Sequence, residues 1–172
     1  MKKAVIFDID DLLFTTKVRR KVYDYDKEKY DTSTVKANYE VGEYFIYDSP
    51  LPFAIDIPNA FKDAGYELIY ITGRRKSMLG ATFEQFNLYE IPYTKKLVFH
   101  KDTKQQNTTQ YKSEVYDSLT NQGYDIQFFF DDDDGNCDMA QFKGIKNIYQ
   151  ILSDFVEEVY TDKIKTDLNW FF

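Results

Sequence analysis

Cysteine is almost absent from this sequence, since Cys137 is the only one in 172 residues. A single thiol excludes an internal disulfide and is typical of a reducing compartment such as the cytoplasm. No apolar run approaches the length that crosses a bilayer, and the start Met-Lys-Lys before a short apolar run is not typical of a signal peptide. We therefore expect a cytoplasmic protein without a membrane partner.

Positive charge is also scarce. The sequence has 22 Lys and Arg against 29 Asp and Glu, a formal net charge of -7 at pH 7, which argues against broad, non-specific adhesion to nucleic acid. Apolar residues, in contrast, make up 43% of the chain and aromatic residues 18%, enough for a folded domain with an aromatic core. The length fits a single domain over residues 1–172.

Strand and helix patterns alternate along most of the chain. Apolar runs predict strands at 4–8, 66–71, 97–100, 126–130 and 145–149. Helical spacing predicts helices at 57–64, 77–88, 111–122 and 151–164, with glycines closing two of them. Such alternation predicts an α/β fold, a three-layer, Rossmann-like parallel sheet of about five strands with helices on both faces.

The polar segment 15–49 interrupts this alternation. It lacks sustained helical periodicity, and tyrosines are scattered along it. We expect extended or irregular structure here, with short strands, forming a flap or minimal cap inserted after the first strand.

The first strand delivers carboxylates to its carboxyl end. Asp8 and Asp10 follow an unbroken apolar run that is typical of a central parallel strand, and ligands of open α/β sheets gather at such strand ends. Alternation along a strand directs the two carboxylates to the same side and Ile9 away from them. Two carboxylates at that spacing suit one hard cation, whereas the alternative is a solvated acidic turn after an edge strand.

Polar residues mark two further boundaries. Thr72 ends the second predicted strand, where its hydroxyl and nearby amides are placed to hold a phosphate oxygen, although an ordinary N-cap is the alternative. Lys112 lies near the start of a predicted helix, where a cation is unfavourable unless it pairs with a negatively charged group. Its alternative is a solvent-facing lysine.

Four adjacent aspartates, residues 131–134, follow the most aromatic strand. Adjacent carboxylates repel one another unless solvent or a cation relieves them. Mg²⁺ prefers one or two carboxylates together with water and substrate phosphate. We therefore predict Asp131 and Asp132 as metal ligands, and Asp133 and Asp134 as caps of the following helix.

Together these positions resemble the motifs of the haloacid dehalogenase (HAD) superfamily of phosphotransferases. The aspartates at 8 and 10 match its first motif, Thr72 the second, Lys112 the third, and the pair at 131 and 132 the fourth. Within the superfamily, the stretches 71–74, 111–116 and 130–132 are most similar to the 3′-phosphatase domain of bacteriophage polynucleotide kinase. No GxxxxGK(S/T) phosphate loop occurs in the sequence, so no kinase half is expected within these residues.

The resemblance implies both a mechanism and a metal. Asp8 would attack phosphorus to give an aspartyl-phosphate, and Asp10 would protonate the leaving group and then activate water. Lys112 and Thr72 would neutralise the remaining phosphoryl charge. The implied ligands of a Mg²⁺ cofactor are Asp8, Asp10 through its backbone carbonyl, Asp131 and Asp132.

The sequence departs from the family pattern directly after the second aspartate. Asp11-Leu12 replaces the usual Gly-Thr, so the turn must form without glycine. An extra negative charge beside the nucleophile would hinder an approaching phosphate unless Asp11 points away. Reduced or altered activity is therefore one expectation.

Basic residues lie close to the predicted site in sequence. We expect Gly73, Arg74 and Arg75 to bind substrate, with Lys76 and the run 19–21 nearby. Such a cluster favours a substrate with more than the scissile phosphate, such as a nucleic-acid 3′-phosphate end, although the same side chains could simply solvate a helix face. The alternatives are a phosphatase of free nucleotides or other small phosphate esters, and a non-catalytic phosphate-binding or interaction module.

Overall fold

The computed structural model describes residues 1–152. The strands of this part are β1 (Lys2–Phe7), β2 (Phe14–Thr15), β3 (Ser49–Pro50), β4 (Glu67–Arg75), β5 (Val98–Lys101), β6 (Tyr124–Asp131) and β7 (Asn147–Gln150). Its α-helices are α1 (Lys17–Lys29), α2 (Thr32–Glu40), α3 (Asp56–Asp63), α4 (Leu79–Leu88), α5 (Thr108–Asn121) and α6 (Asp134–Phe142). From position 153 on, the helix predicted at 151–164 lies outside the described residues, as does the aromatic tail at 169–172.

Five strands form one parallel sheet in the order β5-β4-β1-β6-β7. This order confirms the predicted α/β class. The central strand β1 is covered on both faces, with its residues 4–7 no more than 1% exposed, as expected for an unbroken apolar run.

Alternation along β1 divides the core into two layers. Val5 and Phe7 contribute to one apolar cluster together with side chains of α3 and α4. Ala4 and Ile6 contribute to a second cluster with side chains of α5 and α6. Because successive strand residues point to opposite faces, one strand can anchor both helix layers. The sheet therefore has helices on both faces, as predicted.

A row of aromatic rings crosses the sheet just before the acidic strand ends. Phe7 pairs in register with Tyr70 of β4 and Phe130 of β6, and its ring stacks at centroid distances of 5.7 Å on Tyr70 and 5.1 Å on Phe130. Stacked rings add to the large apolar area that each aromatic side chain buries. This row fixes the strand ends from which Asp8 and Asp131 project.

The segment 15–49 is mostly helical, so the prediction of extended structure was wrong. It contains α1, α2 and a 3₁₀ turn over Glu43–Tyr47, while only β2 and β3 pair as short antiparallel strands at its two ends. The buried residue of α1 is Arg19, and Val22, Tyr23 and Asp26 are half-buried. The Tyr44 hydroxyl donates to Asp26 at 2.8 Å. Helical periodicity carried by polar side chains escapes a search for apolar spacing.

Several helix ends follow signals in the sequence. Gly65 and Gly123 have φ of +83° and +86° and lie just after α3 and α5, a conformation that glycine adopts without steric cost. Asp133 caps α6 as predicted, since its side chain accepts from the Asn136 amide. None of the helices within residues 1–152 is both long and apolar enough to cross a membrane.

Candidate active site

A cavity of about 270 Å³ opens at the carboxyl end of the sheet. Its acidic lining residues are Asp8, Asp10, Asp11, Asp132 and Asp133, and its cationic ones are Arg20 and Lys112. A larger cavity of about 410 Å³ beside β5 contains none of the residues at the four motif positions. The chemistry therefore points to the smaller cavity as the candidate site.

Lys112 is the electrostatic centre of this site. Its side chain is 1% exposed, and its Nζ donates to Asp8 Oδ1 at 2.8 Å and to Asp131 Oδ2 at 2.5 Å. Burial disfavours the ammonium, but the two carboxylates outweigh burial and raise the pKa of Lys112 above its ordinary value. Lys112 is therefore a buried cation that joins β1 to β6, and the solvent-facing alternative is excluded.

Asp131 is fully buried and held by three donors. Besides Lys112, the Asp133 backbone amide and Asn136 Nδ2 donate to its Oδ1 at 3.1 and 3.0 Å. Asn136 in turn accepts from Thr109 Oγ1 at 2.8 Å, which ties the start of α5 to the start of α6. Sequence reasoning missed Asn136, although its place in the first turn of a helix that follows the acidic run was a signal.

Three carboxylates form a candidate metal site. Oxygens of Asp8, Asp131 and Asp132 all lie within 4.8 Å of one another, and such hard oxygen donors suit a divalent cation. Burial raises the pKa of Asp8 well above its usual range, against the charge of Lys112. Burial, Asp131 and Asp11 raise the pKa of Asp132 to about 6. A cation would relieve this repulsion, so the residues fit a bound divalent metal.

The carboxylate of Asp10 lies apart from these three. It accepts from Arg74 Nε at 3.1 Å and Nη2 at 2.7 Å, and Arg19 Nη2 lies 2.9 Å away. Burial opposes ionisation, but the two guanidinium groups outweigh it and hold the pKa of Asp10 well below its usual range. Its side chain is nevertheless 30% exposed and lines the cavity.

Only one of the three expected substrate-binding residues lines the cavity, namely Gly73. Arg74 is 1% exposed, bonds to Asp10 and Thr82, and lies 3.9 Å over the ring of Phe45. Arg75 forms an ion pair with Glu40 of α2. The two arginines therefore contact protein carboxylates instead of the cavity.

Thr72 lies behind the cavity wall. It is fully buried inside β4, in register with His100 of β5, and its Oγ1 accepts from the Arg74 amide at 3.2 Å. This hydrogen bond spans Gly73, which lines the cavity where the pairing of β4 with β5 shifts register.

Asp48 completes the arginine network and was missed from the sequence. It is 2% exposed and lies 3.0 Å from Arg19 Nε and 3.6 Å from Arg74 Nη2, while Gln85 Nε2 donates to it at 3.1 Å. Asp48 follows the 3₁₀ turn, so the segment 15–49 supplies both a guanidinium and a carboxylate to the network around Asp10. Because the helices of this segment were not predicted, nothing in the sequence indicated that Arg19 and Asp48 lie together.

Asp11 adopts the backbone conformation that glycine favours, with φ of +58°. Aspartate is one of the few other residues that tolerate this conformation. Its carboxylate accepts from the Thr16 amide at 3.0 Å and from Thr16 Oγ1 at 2.8 Å, and it pairs with Arg20. The extra negative charge is thus partly neutralised at the start of α1, although Asp11 still lines the cavity.

Residues 1–151 match the model of the HAD superfamily, subfamily IIIB (acid phosphatase). The chain belongs to this family. The match covers every motif position, so it confirms the resemblance and assigns the chain to a subfamily named for acid phosphatases. No curated protein matched the chain.

Solved structures share the HAD fold at low identity. A chain of the Pnkp1/Rnl/Hen1 complex is 22% identical, with a TM-score of 0.65, and the match covers 88% of this chain and 46% of that one. The class C acid phosphatase from Bacillus anthracis is 22% identical, with a TM-score of 0.58 and coverages of 78% and 53%. A haloacid dehalogenase-like hydrolase from Streptococcus pneumoniae is 13% identical, with a TM-score of 0.57 and coverages of 85% and 83%. The HAD chain thus spans about half the length of the first two.

Proposed function

We propose that this HAD phosphatase is Mg²⁺-dependent, acts through an aspartyl-phosphate at Asp8, and removes a 3′-phosphate from a nucleic-acid end. One observation carries the chemical part of the proposal. Lys112 is buried between Asp8 and Asp131, and two of the three clustered carboxylates, Asp8 and Asp132, line the cavity.

Asp8 is the nucleophile of the proposal. It directly follows β1, is 7% exposed and lines the cavity. Lys112 binds Oδ1, which fixes the plane of the carboxylate, and the proposed attack comes from the other oxygen, Oδ2. Attack on phosphorus forms the Asp8–phosphate bond as the bond to the leaving oxygen breaks.

Asp10 is the proton donor and acceptor of the proposal. Without substrate, Arg74 and Arg19 keep its carboxylate ionised. A bound phosphoryl dianion brings negative charge close to Asp10 and opposes the guanidinium groups, which favours a proton on Asp10. That proton passes to the leaving oxygen, and Asp10 then takes one from the water that hydrolyses the aspartyl-phosphate.

The metal-binding residues of the proposal are Asp8, Asp131 and Asp132, with the backbone carbonyl of Asp10 as an expected further ligand. When bound, Mg²⁺ would screen the repulsion between carboxylate and phosphate and stabilise charge on the transferring oxygens. Lys112 adds a fixed positive charge at the same place, since it contacts two of the three carboxylates.

Residues 15–49 are the proposed cap of a single domain. α1 packs against α2 and the 3₁₀ turn, and it reaches the site through Arg19, which contacts Asp10, and Arg20, which lines the cavity. Gly42 packs closely on Ala81 of α4, because a Cβ at position 42 would lie 2.6 Å from that of Ala81. The cap would thus limit what enters beyond the phosphoryl group.

The proposed substrate is a nucleic-acid end that carries a 3′-phosphate. The cavity of about 270 Å³ is smaller than typical ligand pockets, so it suits the phosphoryl group and the atoms next to it, with the remainder of a nucleic acid outside. The same small volume favours a second candidate, a phosphatase of free nucleotides. The single thiol, Cys137, supports a reducing, cytoplasmic location for either.

A substrate panel tests the proposal. Phosphate release would be measured with Mg²⁺ from a 3′-phosphorylated oligonucleotide, a nucleoside 3′-monophosphate and a sugar phosphate. We expect the oligonucleotide to give the highest kcat/KM, EDTA to silence the enzyme, and Asp8→Asn to be inactive while folded. Asp138→Asn, an exposed aspartate of α6, is the matched control and should keep full activity. Preference for the sugar phosphate would refute the nucleic-acid substrate, and activity in EDTA would refute the metal.

A further inference from the structure

Arg20 is an exposed cation on the cavity wall. Its side chain is 66% exposed and projects from the first turns of α1, and it lines the same cavity as Asp8 and Lys112. Its neighbour Arg19 is instead 4% exposed and faces inward to Asp10. One helix thus supplies an inner and an outer guanidinium to the same site.

Asp11, the ion-pair partner of Arg20, has other hydrogen bonds besides the one from Arg20. Arg20 pairs with Asp11, but Asp11 also accepts from the Thr16 amide and from Thr16 Oγ1. If Arg20 turned away, Asp11 would keep these hydrogen bonds. Ion pairs as exposed as this one contribute little to stability, so Arg20 can exchange Asp11 for another anion at small cost.

The other basic side chains near the site are buried in ion pairs or pair with carboxylates away from the cavity. Lys112 is buried between two carboxylates, and Arg74 is buried against Asp10. Arg75 pairs with Glu40, and Lys76 pairs with Asp102. Among the residues that the structure describes, Arg20 is therefore the guanidinium that lines the cavity.

The cavity wall is strongly acidic, which gives an exposed guanidinium a role in binding an anionic substrate. Five aspartates line the wall, so a second anionic group on a substrate would be repelled unless a cation met it. A guanidinium presents paired N–H donors that match two phosphate oxygens. A substrate with only the scissile phosphate has no such requirement.

We propose that Arg20 binds a second phosphate group of the substrate, beyond the one attacked by Asp8, and so makes the enzyme select nucleotides with two phosphates or more. This inference rests on the proposed function. The second group has two possible sources, the phosphodiester that precedes a 3′-phosphorylated end and the 5′-phosphate of a nucleoside 3′,5′-bisphosphate. In either case it replaces Asp11 as the anion paired with Arg20.

Three matched substrates test the inference, namely a nucleoside 3′-monophosphate, the corresponding 3′,5′-bisphosphate and a dinucleotide 3′-phosphate. For each enzyme we would measure kcat/KM for the last two relative to the monophosphate. Hydrogen bonds between charged groups commonly contribute on the order of tenfold, so Arg20→Gln should lower at least one ratio about tenfold. The change should lie in KM. Arg20→Lys should restore part of it, and Lys21→Gln, an exposed neighbour on α1, should leave both ratios unchanged.

The outcomes distinguish failure of the proposed role of Arg20 from failure of the proposed nucleotide phosphatase activity. A wild-type preference for only the bisphosphate or only the dinucleotide, lost in Arg20→Gln, supports the inference and identifies the source of the second phosphate. Equal kcat/KM on all three substrates, or a preference that Arg20→Gln keeps while folded by circular dichroism, overturns the inference and leaves phosphatase activity standing. If the wild type releases phosphate from a nitrophenyl ester but from none of the three, the nucleotide substrate and the inference both fail.

Discussion

Replacing Arg74 with methionine should lower kcat, most for substrates whose leaving group needs a proton, instead of weakening substrate binding. Arg74 donates to Asp10 twice, at 3.1 and 2.7 Å, and is 1% exposed. Its place directly after Thr72-Gly73 favours a substrate-binding role when the sequence is considered alone. The structure instead makes it a positioning residue for the proposed proton donor.

The expected magnitude follows from these contacts. Breaking a buried ion pair by removing one partner costs about 3–5 kcal/mol. Because Asp10 is 30% exposed and keeps Arg19, we expect the lower end, a loss of about 3 kcal/mol in the free energy of unfolding at pH 7. A misplaced proton donor should lower kcat on the order of 100-fold.

The pH dependence of this destabilisation has a definite sign. The pKa of Asp10 is lowered in the folded state by Arg74 and Arg19 despite burial, so the pairing stabilises the fold above the unfolded pKa and is lost as pH falls through the folded one. The difference in stability between wild type and Arg74→Met should therefore be full at pH 7 and shrink as pH drops below about 4.

Leaving groups provide the decisive assay. A nitrophenyl ester needs little protonation on departure, whereas a nucleoside 3′-phosphate needs a proton. Arg74→Met should therefore lose more kcat on the nucleotide than on the nitrophenyl ester, with similar KM values. A variant that kept kcat on both esters and lost only affinity for oligonucleotides would refute this reasoning and restore the substrate-binding role.

Three further predictions follow from the structure. His100, the single histidine, is 3% exposed, and burial together with Arg74 lowers its pKa to about 4. Its imidazole NMR signals should therefore not titrate above pH 5.5 or so. Because the unfolded chain binds the proton first, this histidine should lower the free energy of unfolding by about 3 kcal/mol as pH falls from 6.5 to 4. An NMR titration midpoint near pH 6.5 would contradict this prediction. Gly42→Ala should cost about 2 kcal/mol, because φ is +83° and the new Cβ would lie 2.6 Å from that of Ala81, whereas Gly80→Ala, with open space around it, should not destabilise. Asp132→Ala should raise the Mg²⁺ concentration required for half-maximal activity at least tenfold or so, and an unchanged requirement would remove Asp132 from the metal site.

The sheet could be predicted because its signals are local. Apolar runs that end in polar residues mark parallel strands, and the carboxyl ends of such strands meet at one edge of a sheet. For that reason positions 8, 131 and 132 could be expected together before any coordinates, whereas Lys112 joined them only through the family resemblance. In the structure the carboxylate oxygens of the three aspartates lie within 4.8 Å of one another, and Lys112 contacts Asp8 and Asp131.

The surroundings of Asp10 could not be predicted in the same way. Arg74 is 64 positions away from Asp10, and Arg19 reaches Asp10 only because α1 forms. The buried residue of α1 is Arg19, which pairs with Asp10 and Asp48, and the half-buried Asp26 accepts from the Tyr44 hydroxyl. A helix whose buried face is charged has no apolar period, so neither the helix nor its contacts could be inferred from spacing.

Trapping the covalent intermediate tests the central claim most directly. Borohydride reduces an acyl phosphate to the alcohol, so substrate-treated protein should carry homoserine at position 8 when analysed by peptide mass spectrometry. With a nitrophenyl ester, whose departure needs little protonation, Asp10→Asn should increase the yield of this product by slowing hydrolysis of the intermediate. Asp8→Asn should abolish both trapping and turnover. Rapid phosphate release with no modification at position 8, from an enzyme that remains active as Asp8→Asn, would contradict the account.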